Sequence, residues 1–228
     1  MNHTIKLVVF DMAGTTIEEN NLVYKSLLLT IVQNGYECTL EEVLAHGAGK
    51  EKRNAIEDIL KVIQDEIIDS ITIDKLYNKF KYNLEIAYEH AMISAKDNAE
   101  IVFEKINNQG IYIVLNTGYD RLTATKLLNK LNWFQSIHYD LLVTATDVTN
   151  SRPHPDMIIK AISHFNIDDA QSVLKIGDSA IDILEGKNAN CGITIGITTG
   201  AQTREQLSQA NPDYIIDNLI DLLPIINL

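Results

Sequence analysis

Four stretches of this chain set acidic, hydroxyl and cationic side chains where apolar segments end: Asp11-Met12-Ala13-Gly14-Thr15-Thr16, Asn116-Thr117-Gly118, Ser151-Arg152-Pro153 and Gly177-Asp178-Ser179-Ala180-Ile181-Asp182. A carboxylate such as Asp11 can attack a phosphoryl or phosphonyl centre and form an acyl phosphate, which water then hydrolyses. Two anions repel unless a cation lies between them, so this chemistry calls for a hard, oxygen-loving metal held by further carboxylates. Asp178 and Asp182, one helical turn apart, suit that role. Thr117 can donate a hydrogen bond to a phosphoryl oxygen, and Arg152 supplies a permanent charge and a planar fork. A lone acidic residue after a strand is ordinarily a turn or a helix cap. The joint occurrence in this order is what argues for a site.

These stretches converge only if the elements before them are parallel strands. Residues 5–10 are a nearly unbroken apolar run ending at Asp11, which reads as a central strand covered on both faces. Further strands are expected at 111–115, 141–144, 173–176, 192–197 and 214–216, with helices at 99–108, 120–131 and 155–165. Such alternation implies right-handed crossovers, an open parallel sheet with helices on both faces, and ligands at the carboxyl ends of its strands.

Between residues 17 and 92 the alternation gives way to helical periodicity at 22–34, 40–45, 50–64 and 73–88. This insertion leaves and rejoins the core beside the presumed site, so a cap that opens and closes over it is the economical reading. The expected organisation is an α/β Rossmann-like core over residues 1–16 and 93–228 with a helical cap over 17–92.

At 228 residues the chain has room for a core domain with a large insertion. Its net charge of -12 argues against a general nucleic-acid footprint. It does not exclude an anionic substrate, because a few buried cations and a metal can reverse the potential inside a cleft. Cys38 and Cys191 lie outside any metal-ligand spacing and are expected as buried thiols. No signal-peptide layout opens the chain and no apolar run is long enough to span a bilayer, so a cytoplasmic protein is expected.

Taken together, Asp11-x-x-Gly14-Thr15-Thr16, Thr117-Gly118, Arg152-Pro153 and Gly177-Asp178-x-x-x-Asp182 resemble the four motifs of the haloacid dehalogenase superfamily, over nearly the whole chain. The resemblance implies Mg²⁺ bound by Asp11, the backbone carbonyl of Ala13, and Asp178, with Asp182 supporting the metal's water shell. It implies a small phosphorylated or phosphonate metabolite as partner, and substrate contacts from Thr15, Gly118 and Tyr119. No nucleic acid or membrane is expected, and the chain is expected as a monomer or homodimer.

Phosphatases of this superfamily usually carry a second Asp two residues after the nucleophile, which protonates the departing alkoxide. Here that residue is Ala13. Losing the acid should cost on the order of a hundredfold or more on a simple phosphomonoester. Asp11-x-Ala13-Gly14-Thr15-Thr16, with Arg152 in place of the common third-motif lysine, resembles phosphonoacetaldehyde hydrolase and the phosphonatase-like proteins near it. In that enzyme a cap lysine forms a Schiff base with the substrate aldehyde and the leaving group departs as an enamine, which removes the need for an acid. The resemblance places this role on Lys50 in the loop Gly47-Ala48-Gly49-Lys50, and a substrate contact on Gly47. Lys52, Arg53 and a helix N-terminus are expected to favour the free amine of Lys50.

Some residues depart from the true phosphonatases: Arg53 stands where they have histidine, Asn21 where they have cysteine, and His46 where they have methionine. Asn116 to Arg121 and Thr199 to Arg204 look closer to the phosphonatase-like relatives. The alternatives are a phosphoglycolate phosphatase-like or other small-metabolite phosphatase, a sugar-phosphate mutase, and a non-catalytic phosphoryl receiver; the length and the helical insertion disfavour the last. Gly47 to Lys50 is not a P-loop, because the spacing is short and Glu51 stands in place of Ser or Thr. His90, His138 and His164 are expected to be structural or exposed. His154 is a candidate neighbour of the site, and Trp133 and Phe134 are expected in the core.

Overall fold

A computed structural model describes residues 4–64 and 68–228. In chain order the elements are β1 (Leu7–Asp11), β2 (Ile17–Glu18), α1 (Leu22–Gln33), α2 (Leu40–Gly47), α3 (Lys52–Gln64), α4 (Ser70–His90), β3 (Ser94–Ala95), α5 (Ala99–Asn107) and β4 (Tyr112–Thr117). There follow α6 (Arg121–Leu131), β5 (Leu141–Thr144), α7 (Asp156–His164), β6 (Val173–Gly177), α8 (Ala180–Asn188), β7 (Ile193–Ile197), α9 (Arg204–Ser208), β8 (Tyr214–Ile216) and α10 (Leu222–Ile225).

The principal sheet is wholly parallel, in the order β5-β4-β1-β6-β7-β8. The chain runs outward from β1 through β4 to β5, then returns to lay β6 on the other side of β1. Strand order therefore reverses at β1, and a crevice opens at the carboxyl ends of β1, β4 and β6. Register brings Asp11 level with Asn116, and Phe10 level with Ile176, just before Gly177 and Asp178.

Period-two alternation splits β1 between two buried faces. Val8 and Phe10 join the larger cluster, where Phe103 stands edge-on to both Phe10 and Trp133 at centroid distances of 5.2 and 5.1 Å. Leu7 and Val9 pack with Val114, Val143, Met157 and Ile158 beneath α7.

Helices α1 to α4 pack on one another, and their apolar stripes (Val23, Leu27, Val43, Ile56, Phe80) belong to the same cluster as the sheet face bearing Phe10. The two connections to this helical segment are tied together by a short antiparallel ribbon, Ile17 against Ala95 and Glu18 against Ser94. Strands of two residues are too short to leave a periodic signal in sequence. A full capping box between Thr39 and Glu42 starts α2, and Asp69 and Asp120 cap α4 and α6.

Several expectations are corrected. The helix read as beginning at Lys50 begins at Lys52, because the Glu51 carboxylate accepts the N–H groups of Arg53 and Asn54 at 3.0 and 2.9 Å and so closes its first turn. Phe134 lies outside the core at 51% exposure, while Trp133 is buried. Cys38 and Cys191 are half-buried rather than buried. Among the described residues no helix is long and apolar enough to cross a membrane.

Candidate active site

Asp11 is the last residue of β1 and is buried. The chain turns sharply behind it: the N–H groups of Thr15, Thr16 and Ile17 all converge on the Met12 carbonyl, and Thr16 Oγ1 donates to the Asp11 carbonyl at 3.0 Å. Gly14 makes the turn with φ of +83°, and a Cβ there would lie 2.2 Å from Asp178 Oδ2. Gly200 crowds the same oxygen from the other side, where a Cβ would lie at 1.9 Å. The two glycines thus leave a slot that the Asp178 carboxylate fills, its Oδ2 accepting the Ala201 N–H at 2.6 Å.

Behind these carboxylates lies a buried ionic network. Arg152 Nη1 is 2.8 Å from Asp11 Oδ1 and 3.0 Å from Asp182 Oδ1, and Nε is 3.0 Å from Glu185 Oε2. Its Nη2 donates to the Asn116 carbonyl at 2.8 Å and also contacts the Asn116 side-chain oxygen. Lys175, buried in β6, adds a second cation at 2.9 Å from Asp182 and 3.5 Å from Glu185. Asn116 Nδ2 donates to Glu185 Oε1 at 2.9 Å.

The electrostatics separate the acids. Burial raises Asp11, and so does Asp182, against the opposing pull of Arg152 and Lys175. Burial, then Asp11 and Asp182, push Asp178 well above the usual carboxylate range. Burial acts on Asp182 in the same sense, but Arg152, Lys175 and the Ser179 hydroxyl together hold it below that range. Asp182 is satisfied by protein cations, whereas Asp178 has no cationic partner among the described residues.

Carboxylate oxygens of Asp11, Asp178 and Asp182 lie within 4.8 Å of one another. The donor set is all oxygen, and the acid without a protein cation faces the presumed nucleophile. This fits a hard divalent cation, which Asp11, Asp178 and Asp182 would hold.

A cavity of about 10 Å³, room for a single water at most, is lined by Asp11, Ala13, Tyr24, Gly49, Lys52, Thr117, Gly118, Tyr119, Arg152 and Asp178. The structure therefore brings together Asp11, Ala13, Thr117, Gly118, Tyr119, Arg152 and Asp178, with Asp182 in contact from behind. Thr117 Oγ1 accepts the Tyr119 N–H at 3.2 Å, which fixes its rotamer toward the cavity.

Besides Asp182, three expected site residues lie off the cavity wall. Thr15 is fully buried beneath the loop. Gly47 closes α2 against α3, where a Cβ would meet Ile59 Cδ1 at 3.1 Å. Lys50 precedes α3 rather than opening it, and its ammonium is bound by the Asp58 carboxylate. Arg53 likewise turns away, to Asp74 at 2.7 Å and Glu57 at 3.4 Å. His154, beside Arg152 in sequence, is exposed.

Sequence reading missed Tyr24 on the cavity wall and Lys175 and Glu185 behind it; it named Gly49 and Lys52 only as neighbours of Lys50, and Asn116 only as the residue before Thr117. A lysine inside the buried strand Val173-Leu174-Lys175-Ile176-Gly177, and Glu185 one turn beyond Asp182, were the available signals. The helical segment is seated by Gly49 (φ +70°), where a Cβ would lie 2.2 Å from Ile181 Cγ2 and 2.4 Å from Ser179 Oγ. Tyr24 Oη accepts the Gly49 N–H at 3.2 Å. Gly118 in turn admits the carbonyls of Gly49 and Lys50, each 2.9 Å from where its Cβ would be.

The haloacid dehalogenase-like hydrolase family model matches residues 8–209. The pyrophosphatase PpaX of Anoxybacillus flavithermus is 29% identical over 98% of each chain. Among solved structures, a phosphonoacetaldehyde hydrolase-like protein from Oleispira antarctica superposes with a TM-score of 0.83 at 24% identity, covering 99% of this chain and 92% of that one. A hydrolase from Pseudomonas syringae does so with a TM-score of 0.84 at 18% identity, covering 97% and 98%. These two likenesses show the shared α/β fold.

Proposed function

This chain belongs to the haloacid dehalogenase-like hydrolases, and on that premise we propose a Mg²⁺-dependent, phosphonatase-like enzyme that uses Asp11 to cleave a P–C or P–O bond of a small phosphonate or phosphate metabolite. Residues 17–92 act as its cap, and residues 1–16 with 93–228 as its core. The observation that carries the reading is Asp11 Oδ1 held 2.8 Å from Arg152 Nη1 in a cavity that also holds Asp178.

In this reading a carboxylate oxygen of Asp11 attacks phosphorus, the bond to the leaving group breaks, and its electron pair departs with that group. Water then attacks the acyl phosphate, freeing phosphate and restoring the carboxylate. Arg152 keeps Asp11 in a fixed orientation and Thr117 offers its hydroxyl to a phosphoryl oxygen. Asp11, the Ala13 carbonyl and Asp178, with Asp182 in support, would hold Mg²⁺, which would supply positive charge to offset the repulsion between carboxylate and substrate anion. The exclusion of water from so small a cavity strengthens each of these interactions, and substrate entry requires the helical segment to shift.

Ala13 bears on the substrate. With no acid at that residue, an unactivated alkoxide is a poor leaving group, whereas an enamine or a phosphate departs without a proton. A second reading, pyrophosphate hydrolysis, is favoured by the likeness to a pyrophosphatase over nearly the full length of both chains.

The test is phosphate release with Mg²⁺ across phosphonoacetaldehyde, pyrophosphate, phosphoglycolate and glycerol phosphate, with EDTA as control. Metal-dependent release from one or both of the first two is expected. Aldehyde-dependent trapping of Lys50 by borohydride would favour P–C cleavage, and EDTA-insensitive release from a metal-free preparation would contradict the reading.

A further inference from the structure

Lys52 is a buried cation with little to neutralise it. It is 6% exposed and lies in the wall of the catalytic cavity. One of its three ammonium hydrogens has a partner, the Lys50 carbonyl at 2.6 Å. The nitrogen also stands 5.4 Å from the ring centroid of Tyr24 and 5.5 Å from that of Tyr119. Among the described residues no carboxylate comes within the 4.0 Å of an ion pair. Glu51, Asp11 and Glu19 act on it only from farther away, and burial together with Arg152 brings it down to about 8.

An ammonium held this way is costly in the empty site. Its remaining donors are available to an anion that enters the cavity. Its place says which part of a substrate it meets. Lys52, Gly118 and Tyr119 line both the small cavity holding Asp11 and a second cavity of about 610 Å³ between α3, α4 and α6. A substrate whose phosphorus lies at Asp11 finds room for its remainder on that side, past Lys52.

Resting on the reading above, we propose that Lys52 is a catalytic residue that binds the leaving-group oxygen, replacing proton donation by charge at a site where Ala13 offers no acid. When Asp11 attacks phosphorus, the bridging P–O bond breaks and its electron pair stays on the bridging oxygen. That oxygen leaves as an anion, paired with the Lys52 ammonium, and no proton changes hands. The water that later cleaves the acyl phosphate gives its proton to the released phosphate or to solvent. The substrate class is a phosphoanhydride or acyl phosphate, whose leaving group is already a stable oxyanion.

The test compares wild type with Lys52→Met and Lys52→Arg on pyrophosphate, acetyl phosphate and glycerol phosphate. Wild type is expected to prefer the first two by at least a hundredfold in kcat/KM. Lys52→Met should lose on the order of a hundredfold in kcat on pyrophosphate, with KM raised about tenfold, at least as large a loss on glycerol phosphate, and a smaller loss on acetyl phosphate, whose departing carboxylate is the least basic. Lys52→Arg should recover part of that loss. The melting temperature of Lys52→Met should match or exceed that of wild type, because an unpaired buried charge has been removed.

Equal losses on all three substrates, a wild-type preference for glycerol phosphate, or a destabilised Lys52→Met would overturn the proposal. A binding measurement separates it from the parent reading. Pyrophosphate should bind Asp11→Asn at least tenfold more tightly than Asp11→Asn combined with Lys52→Met; equal affinity overturns the role of Lys52, whereas turnover surviving in Asp11→Asn overturns the nucleophile.

Discussion

Arg152 Nη1 lies 2.8 Å from Asp11 Oδ1, and the same nitrogen reaches Asp182 Oδ1 at 3.0 Å, so one guanidinium joins the end of β1 to the first turn of α8. Its Nε binds Glu185 and its Nη2 binds Asn116. All three nitrogens are therefore committed inside the protein, and Arg152 acts chiefly by fixing carboxylates.

Removing that cation strands buried Asp11 and leaves Asp182 and Glu185 to Lys175 alone. Arg152→Ala is expected to lose about 3–5 kcal/mol of stability, measured by urea unfolding. Arg152→Lys keeps the charge but cannot fork between β1, β4 and α8, so it should fold and lose on the order of a hundredfold in kcat. A fully active Arg152→Lys would show that the fork has no bearing on Asp11.

Gly49 seats the helical segment on the core at a φ of +70°, with no space for a Cβ between Ile181 and Ser179. Gly49→Ala is expected to lower kcat/KM at least tenfold while the melting temperature falls by only a few degrees. Gly35→Ala is the control: it shares a positive φ, of +89°, but its Cβ would meet nothing within 4 Å, and it should keep its activity. Equal activity in the two variants would mean that the seating of this loop is not needed for turnover.

Glu19 joins the outgoing connection to the returning helix, accepting from Tyr88 Oη at 2.8 Å and from the Val23 N–H at 3.1 Å. Burial nonetheless pushes it up to about 7. The folded protein thus keeps a proton that the unfolded chain releases near pH ~4.3. This contribution to stability is fully present below that pH and is lost as pH rises through about 7. Glu19→Gln, which cannot ionise, should gain on wild type by on the order of 2 kcal/mol between pH ~5 and ~8. A stability gap that stays constant with pH would contradict this.

What was legible in sequence follows from the range over which each signal acts. The bounds expected for β5 and β8 match those found, because apolar runs of strand length with polar flanks mark their own ends. Asp11, Thr117, Arg152 and Asp178 converge because each ends or follows a strand of one parallel sheet. Lys52 was read only as a neighbour of Lys50, because periodicity and resemblance both drew the start of α3 to Lys50. That shift of two residues decides which lysine faces the cavity and which faces Asp58. Lys175 and Glu185 were hidden for another reason: they pair with each other and with residues of β4, α8 and the loop holding Arg152, and only the folded core brings these together.

The most direct test of the central claim is phosphate release by Asp11→Asn, assayed with Mg²⁺ on the best substrate of the panel and checked by circular dichroism. The amide keeps the shape and can still accept from Arg152, but it cannot attack phosphorus. Turnover is expected to fall by at least a thousandfold with an unchanged spectrum; activity within tenfold of wild type in a folded Asp11→Asn protein would contradict the assignment of Asp11 as the nucleophile.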